Sequence, residues 1–103
     1  MAKAIQNTFK FRSEIWLYPG DAGNWHFISI PKKESETIKK NFDARTRGWG
    51  SLRVEATIGK TAWKTSVFPD KKSGTYLLPV KALIRRKEGL FAGDMIMLRL
   101  EIL

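Results

Sequence analysis

Arg45, Arg47 and Trp49 fall within one seven-residue run, ARTRGWG. Two guanidiniums and an indole on alternate positions of a loop suit phosphates and a base: arginine forks pair with phosphate oxygens, and any base can stack on an aromatic face. A second basic run, Arg85-Arg86-Lys87, precedes a Gly-rich bend. Lys60 and Lys64 flank a tight turn, and Lys71 and Lys72 sit in the next one. The candidate binding set for nucleic acid or another ligand is therefore Arg45, Arg47, Trp49, Lys60, Lys64, Arg85 and Arg86. Each member also has a plain structural reading. Tryptophans in small barrels often plug an end or pack beneath a helix. Cations in the last turn of a helix favour its dipole, so Arg85, Arg86 and Lys87 are first the wet side and end of a short helix.

Catalytic chemistry finds little support. His26 is the one histidine and there is no cysteine, so a transition-metal site would need Asp21, Asp43 or Asp94 to converge on His26. A strand histidine bonded to backbone or water is the simpler expectation. No Gly-x-Ser-x-Gly elbow supports a serine triad, and GDAG at 20–23 lacks the Lys-Ser/Thr of a phosphate loop. Glu14, Glu55 and Glu101 fall on outward strand positions among cations, which does not suit paired-carboxylate catalysis. The expectation is a protein that is not an enzyme and holds no metal or cofactor.

The elements that must carry these residues follow from patterning. Thr8–Leu17 alternates, with Phe9, Phe11, Ile15 and Leu17 inward and Lys10, Arg12, Glu14 and Trp16 outward; Tyr18 continues the outward phase. PGDAGN at 19–24 is a turn cluster leading to a second strand, WHFISI at 25–30, in which Trp25 takes an inward phase. Pro31 opens a helix over 33–42, with Ile38 and Phe42 on one face, acids early and lysines late. SLRVEATI places Leu52, Val54, Ala56 and Ile58 inward, Gly59-Lys60 turns, and TAWKTSVF returns antiparallel with Trp63 inward. After the PDKKSG turn, TYLL at 75–78 is a short strand ended by Pro79. A second helix follows, with Val80, Leu83 and Ile84 on its apolar face and Lys81 and Arg85 turned away. In MIMLRLEIL, Ile96, Leu98, Leu100 and Ile102 point inward, and Arg99 and Glu101 outward.

Six short strands and two short helices predict a mainly β protein, a small closed barrel over residues 1–103, with 1–7 as a flexible lead. Length permits a single core, and 43% hydrophobic residues can fill it. The net charge of +9 invites a polyanion partner, although charge speaks to solubility before it speaks to a site. Without cysteine, without an apolar leader and without a run long enough to span a bilayer, the chain is expected in the cytoplasm and off the membrane. Its oligomeric state is not legible.

The order of landmarks resembles a known family, the bacterial and archaeal proteins grouped as domain of unknown function 1905. The resemblance rests on an aromatic pair ahead of Ile30-Pro31, the hairpin TIGKTAWKTSVFP, GTYLLPVKALIRRKEGL, and AGD before the last strand. It runs from about Phe9 to Ile102. Trp25-His26 stands where the family often has two aromatics. The resemblance implies a closed six-stranded Greek-key-like barrel and little about chemistry. In some longer relatives a similar domain precedes a segment linked by name to bacteriocin protection. Three functions follow as expectations: a basic module contacting nucleic acid; a barrel holding a small molecule or peptide in an end pocket lined by Trp25, Trp49 or Trp63; and a structural or protein-partner domain.

Overall fold

The alternating segments fold as strands in a computed structural model that describes residues 5–19 and 25–103. Their order is β1 (Thr8–Leu17), β2 (His26–Ser29), α1 (Lys32–Phe42), two 3-10 turns (Asp43–Arg45 and Gly48–Gly50), β3 (Leu52–Ile58), β4 (Thr61–Asp70), β5 (Thr75–Pro79), α2 (Ala82–Glu88) and β6 (Met95–Ile102). Of the turn predicted at 19–24, residues 20–24 lie outside the described residues.

The strands close in the order β1-β2-β5-β4-β3-β6, and every neighbouring pair is antiparallel. The last four strands lie as β6-β3-β4-β5, which is a Greek key. Closure gives both edge strands partners. The inward phases predicted for β1, β3 and β6 supply the filling: Phe9, Phe11, Ile15, Leu52, Val54, Ala56, Ile58, Ile96, Leu98, Leu100 and Ile102 are all buried. Side chains therefore occupy the interior of the barrel.

Antiparallel pairing sorts the connections between two ends. One end carries α1, the 3-10 turns and the β4–β5 turn; the other carries the β3–β4 turn, α2 and the loop into β6. At the first end, Ile38 and Phe42 of α1 reach the core. Buried Ser35 ties the helix to the barrel: its hydroxyl donates to the Ile30 carbonyl (2.9 Å) and accepts the Tyr76 amide (3.0 Å).

At the second end, Ile84 of α2 is buried and Glu88 accepts a 2.7 Å hydrogen bond from Thr61 Oγ1. Gly89, left-handed at φ 64°, ends α2, and the Leu90 amide closes back on the Arg85 carbonyl (2.8 Å) in a Schellman cap. The AGD segment is a β-bulge. Gly93 donates to the Ile15 carbonyl (2.7 Å), while the Ile15 amide donates to the Asp94 carbonyl (2.9 Å).

Several predicted details change. β4 runs on through Asp70 and β5 includes Pro79. Leu17 is exposed, because its inward phase carries it past the last buried layer, out of the barrel mouth. Trp25 is outward: Ile28 and Ile30 take the inward places of that segment, which leaves Trp25 and Phe27 on the outer face. Leu83 is exposed because a two-turn helix laid across a barrel end buries one narrow stripe, here Ile84 with flanking Val80 and Leu90. Arg85 does not face away; its Nε–H donates to the Val80 carbonyl at 3.2 Å. The Asn7 carbonyl accepts the Ile102 amide (2.8 Å).

Candidate functional site

The predicted binding set divides between the two ends of the barrel. Arg45, Arg47 and Trp49 lie beside the α1 end, Lys60, Arg85 and Arg86 at the α2 end, and Lys64 on the outer wall of β4 opposite Glu55. At the α1 end the loop is tightly wound. Arg47 donates to the Ser51 carbonyl (2.8 Å), Gly50 donates to the Arg47 carbonyl (2.9 Å), and Trp49 between them has φ 66°. A bulky residue in the left-handed region costs on the order of 1–2 kcal/mol, and this one leaves its indole 93% exposed. Arg45 lies over the Phe42 ring, 5.2 Å from its centroid, so one of the two guanidiniums is partly occupied by the helix end.

The α2 end brings together more than the sequence shows. His26, Arg85, Arg86, Leu90 and Phe91 line a basin of ≈470 Å³. The Val80 carbonyl orients Arg85 by taking its Nε–H, and the rest of the guanidinium keeps its donors. Phe91 is 72% exposed on a fixed turn: its amide donates to Asp94 Oδ2 (2.8 Å), and the Asp94 amide returns to its carbonyl (3.0 Å). The Asp94 carboxylate is thus engaged in the turn, and Asp43 sits at the far end of the barrel from His26. No group of three potential metal ligands occurs among the described residues.

Beside the basin, the outer face of β1 and β2 carries four contacting rings. Trp16 pairs across the strands with Phe27 (centroids 5.4 Å apart) and touches Tyr18 (6.2 Å); Tyr18 meets Phe27 edge-on (5.9 Å); Trp25 stacks on Phe27 at 6.1 Å and 11°. The Tyr18 amide donates to the Trp25 carbonyl (2.8 Å), which holds the outer pair in register beyond the strand ends. Tyr18 is half-exposed, and Trp25 is 54% exposed. Trp16 and Tyr18 are legible from strand phase. Trp25 and Phe27 are readable from Ile28 and Ile30, whereas nothing periodic marks Phe91 or joins His26 to Arg85.

Trp63 packs against the core, and its buried Nε1–H has no hydrogen-bond partner among the described residues. Trp25 is exposed at the α2 end, Trp49 is exposed beside the α1 end, and Trp63 packs against the core. Between described residues the ion pair within 4 Å is Arg99–Glu101, at 3.8 Å, in a chain with 19 Lys and Arg. No described helix is long and apolar enough to cross a membrane.

No curated protein matches this sequence. A family model described as "Domain of unknown function (DUF1905)" matches residues 11–100, a span that holds the barrel from within β1 to within β6 along with the basin and the ring cluster, and the chain belongs to that family.

Proposed function

We propose that this barrel is a non-catalytic module that binds single-stranded nucleic acid at its α2 end. The observation that carries the reading is that one end of the barrel holds both half-exposed rings, Tyr18 and Trp25, and a basin lined by His26, Arg85, Arg86 and exposed Phe91. Flat rings accept any base, and guanidiniums accept phosphates, so such a surface holds a strand with little sequence preference. Lys60, in the turn at the same end, adds charge along the approach. Arg45, Arg47 and Trp49 stand at the opposite end and form a separate region that only a long strand would reach.

Fluorescence anisotropy of a labelled oligothymidylate tests the reading. Binding should be saturable and reversed by salt, and the same sequence as a duplex should bind more weakly because its bases are stacked away. Failure to bind at low salt, or equal affinity for duplex and single strand, would overturn it. The basin alone also suits a small anionic aromatic ligand. A thermal-shift rise with a mononucleotide at high salt, without oligonucleotide binding, would favour that second reading.

A further inference from the structure

We propose that the outer wall of β1, β2, β5 and β4 is a track that carries the single strand from the basin toward the loop of Arg47 and Trp49, with Phe68 as a base-stacking residue on the way. The proposal rests on the nucleic-acid reading above and adds to it a path and a residue.

The path follows from strand register. Trp16 pairs with Phe27, and Phe27 with Pro79; two residues further along β2, Ser29 pairs with Leu77, and Leu77 with Phe68. Directly opposed residues share a face. Ile15, Ile28, Leu78 and Val67, which alternate with them, are buried, so both rows lie on the outer wall. No member of either row is charged, although the chain carries a net +9. Polar atoms of the rows find partners within the wall: Trp16 Nε1 donates to Ser29 Oγ (3.0 Å), and the Ser29 carbonyl accepts the Ser13 hydroxyl (2.9 Å). What the band offers outward is ring and hydrocarbon.

Phe68 is the exposed aromatic at the far side of this band, with 41% of its surface open. Three strand-to-strand steps, about 14 Å, separate its strand from that of Trp16. Beyond it the wall meets the α1 end. Pro69 lies against Gly50, where a Cβ would stand 3.1 Å from Pro69 Cγ, and Gly50 adjoins exposed Trp49. Cations therefore stand at both ends of the band, Arg85 and Arg86 in the basin and exposed Arg47 in the loop, with rings between them. A phosphate chain bearing flat bases complements that whole order, whereas an apolar protein surface complements only the middle of it.

The test is fluorescence anisotropy of the full chain with labelled oligothymidylates of about 4 and about 16 nucleotides, which bracket the site sizes of small barrels. Phe68→Ala should weaken binding of the long probe at least about fivefold and leave the short probe unchanged. Phe68→Leu keeps apolar bulk but has no flat ring, and should weaken the long probe as much. Trp25→Ala should weaken both lengths. Unchanged affinity of Phe68→Ala for the long probe overturns the track; a loss in Trp25→Ala at both lengths then leaves the nucleic-acid reading standing. Parent-like binding by Phe68→Leu overturns the stacking role. No binding at either length overturns the reading itself and the track with it. Sedimentation gives one further outcome: a parent dimer that Phe68→Ala turns into a monomer would assign the wall to a second copy of the chain and overturn the proposal.

Discussion

Trp25 lies stacked on Phe27, ring centroids 6.1 Å apart and planes 11° from parallel, and is 54% exposed on the outside of the β1–β2 pair. A ring held by a neighbouring ring and still half-exposed can serve as a platform for a base. Trp25→Ala should lower single-strand affinity by about 1–3 kcal/mol. It should cost less than about 1 kcal/mol of stability, because the ring covers little of the core. Anisotropy and urea unfolding of the same variant separate the two effects.

Trp63 provides the contrast, since its ring packs on the core while its N–H is buried without a partner. Trp63→Ala should cost about 3–5 kcal/mol, the usual range for removing a large core ring. Trp63→Phe should cost much less than that, because the removed N–H makes no hydrogen bond and its desolvation penalty disappears with it. Neither change should alter oligonucleotide affinity in protein that remains folded. Chemical denaturation of both variants checks the order.

Gly59 and Gly89 share a left-handed backbone, at φ 58° and 64°, and differ in what a side chain would meet. A Cβ on Gly89 has open space, whereas one on Gly59 collides with the Glu88 carboxylate that holds Thr61. Gly89→Ala should cost about 1 kcal/mol of backbone strain. Gly59→Ala should cost about 1–2 kcal/mol more, because relieving the collision breaks a charge-assisted hydrogen bond. Differential unfolding midpoints measure the gap.

Tyr76 makes stability depend on alkaline pH. Its folded pKa is raised above the ordinary 10.0, chiefly by burial and further by Asp43. As pH rises, the unfolded chain therefore releases this proton first. The stability it carries is complete below pH about 10 and is lost as pH climbs from there through the folded value. Urea midpoints measured between about pH 9 and 11 should fall more steeply for the parent than for Tyr76→Phe, which lacks the ionisable group. Parallel curves would show that the hydroxyl titrates alike in both states.

Much of the fold is written in period-two alternation. β3 and β6 bury the residues that their patterns assign, and β1 buries all of its own but Leu17, because each has one face on the core and one in water. Misreadings gather where a pattern meets an end. Leu17 and Leu83 are apolar residues in phase with the core but placed beyond its reach, which a one-dimensional pattern cannot register. Trp25 is expected inward from strand phase, whereas the phase set by buried Ile28 and Ile30 turns it outward. The site is less legible than the fold: basic residues can be picked out, but only barrel closure decides that Arg85 meets His26 while Arg47 stands at the other end.

The central claim rests on phosphates reaching Arg85 and Arg86 beside the exposed rings. Its most direct test is the slope of log affinity against log salt for oligothymidylate, compared between the parent and Arg85→Ala/Arg86→Ala. The account predicts a steep slope for the parent and one shallower by about 1.4 for the variant, about 0.7 for each phosphate that is no longer neutralised. An unchanged slope in a folded double variant would contradict it.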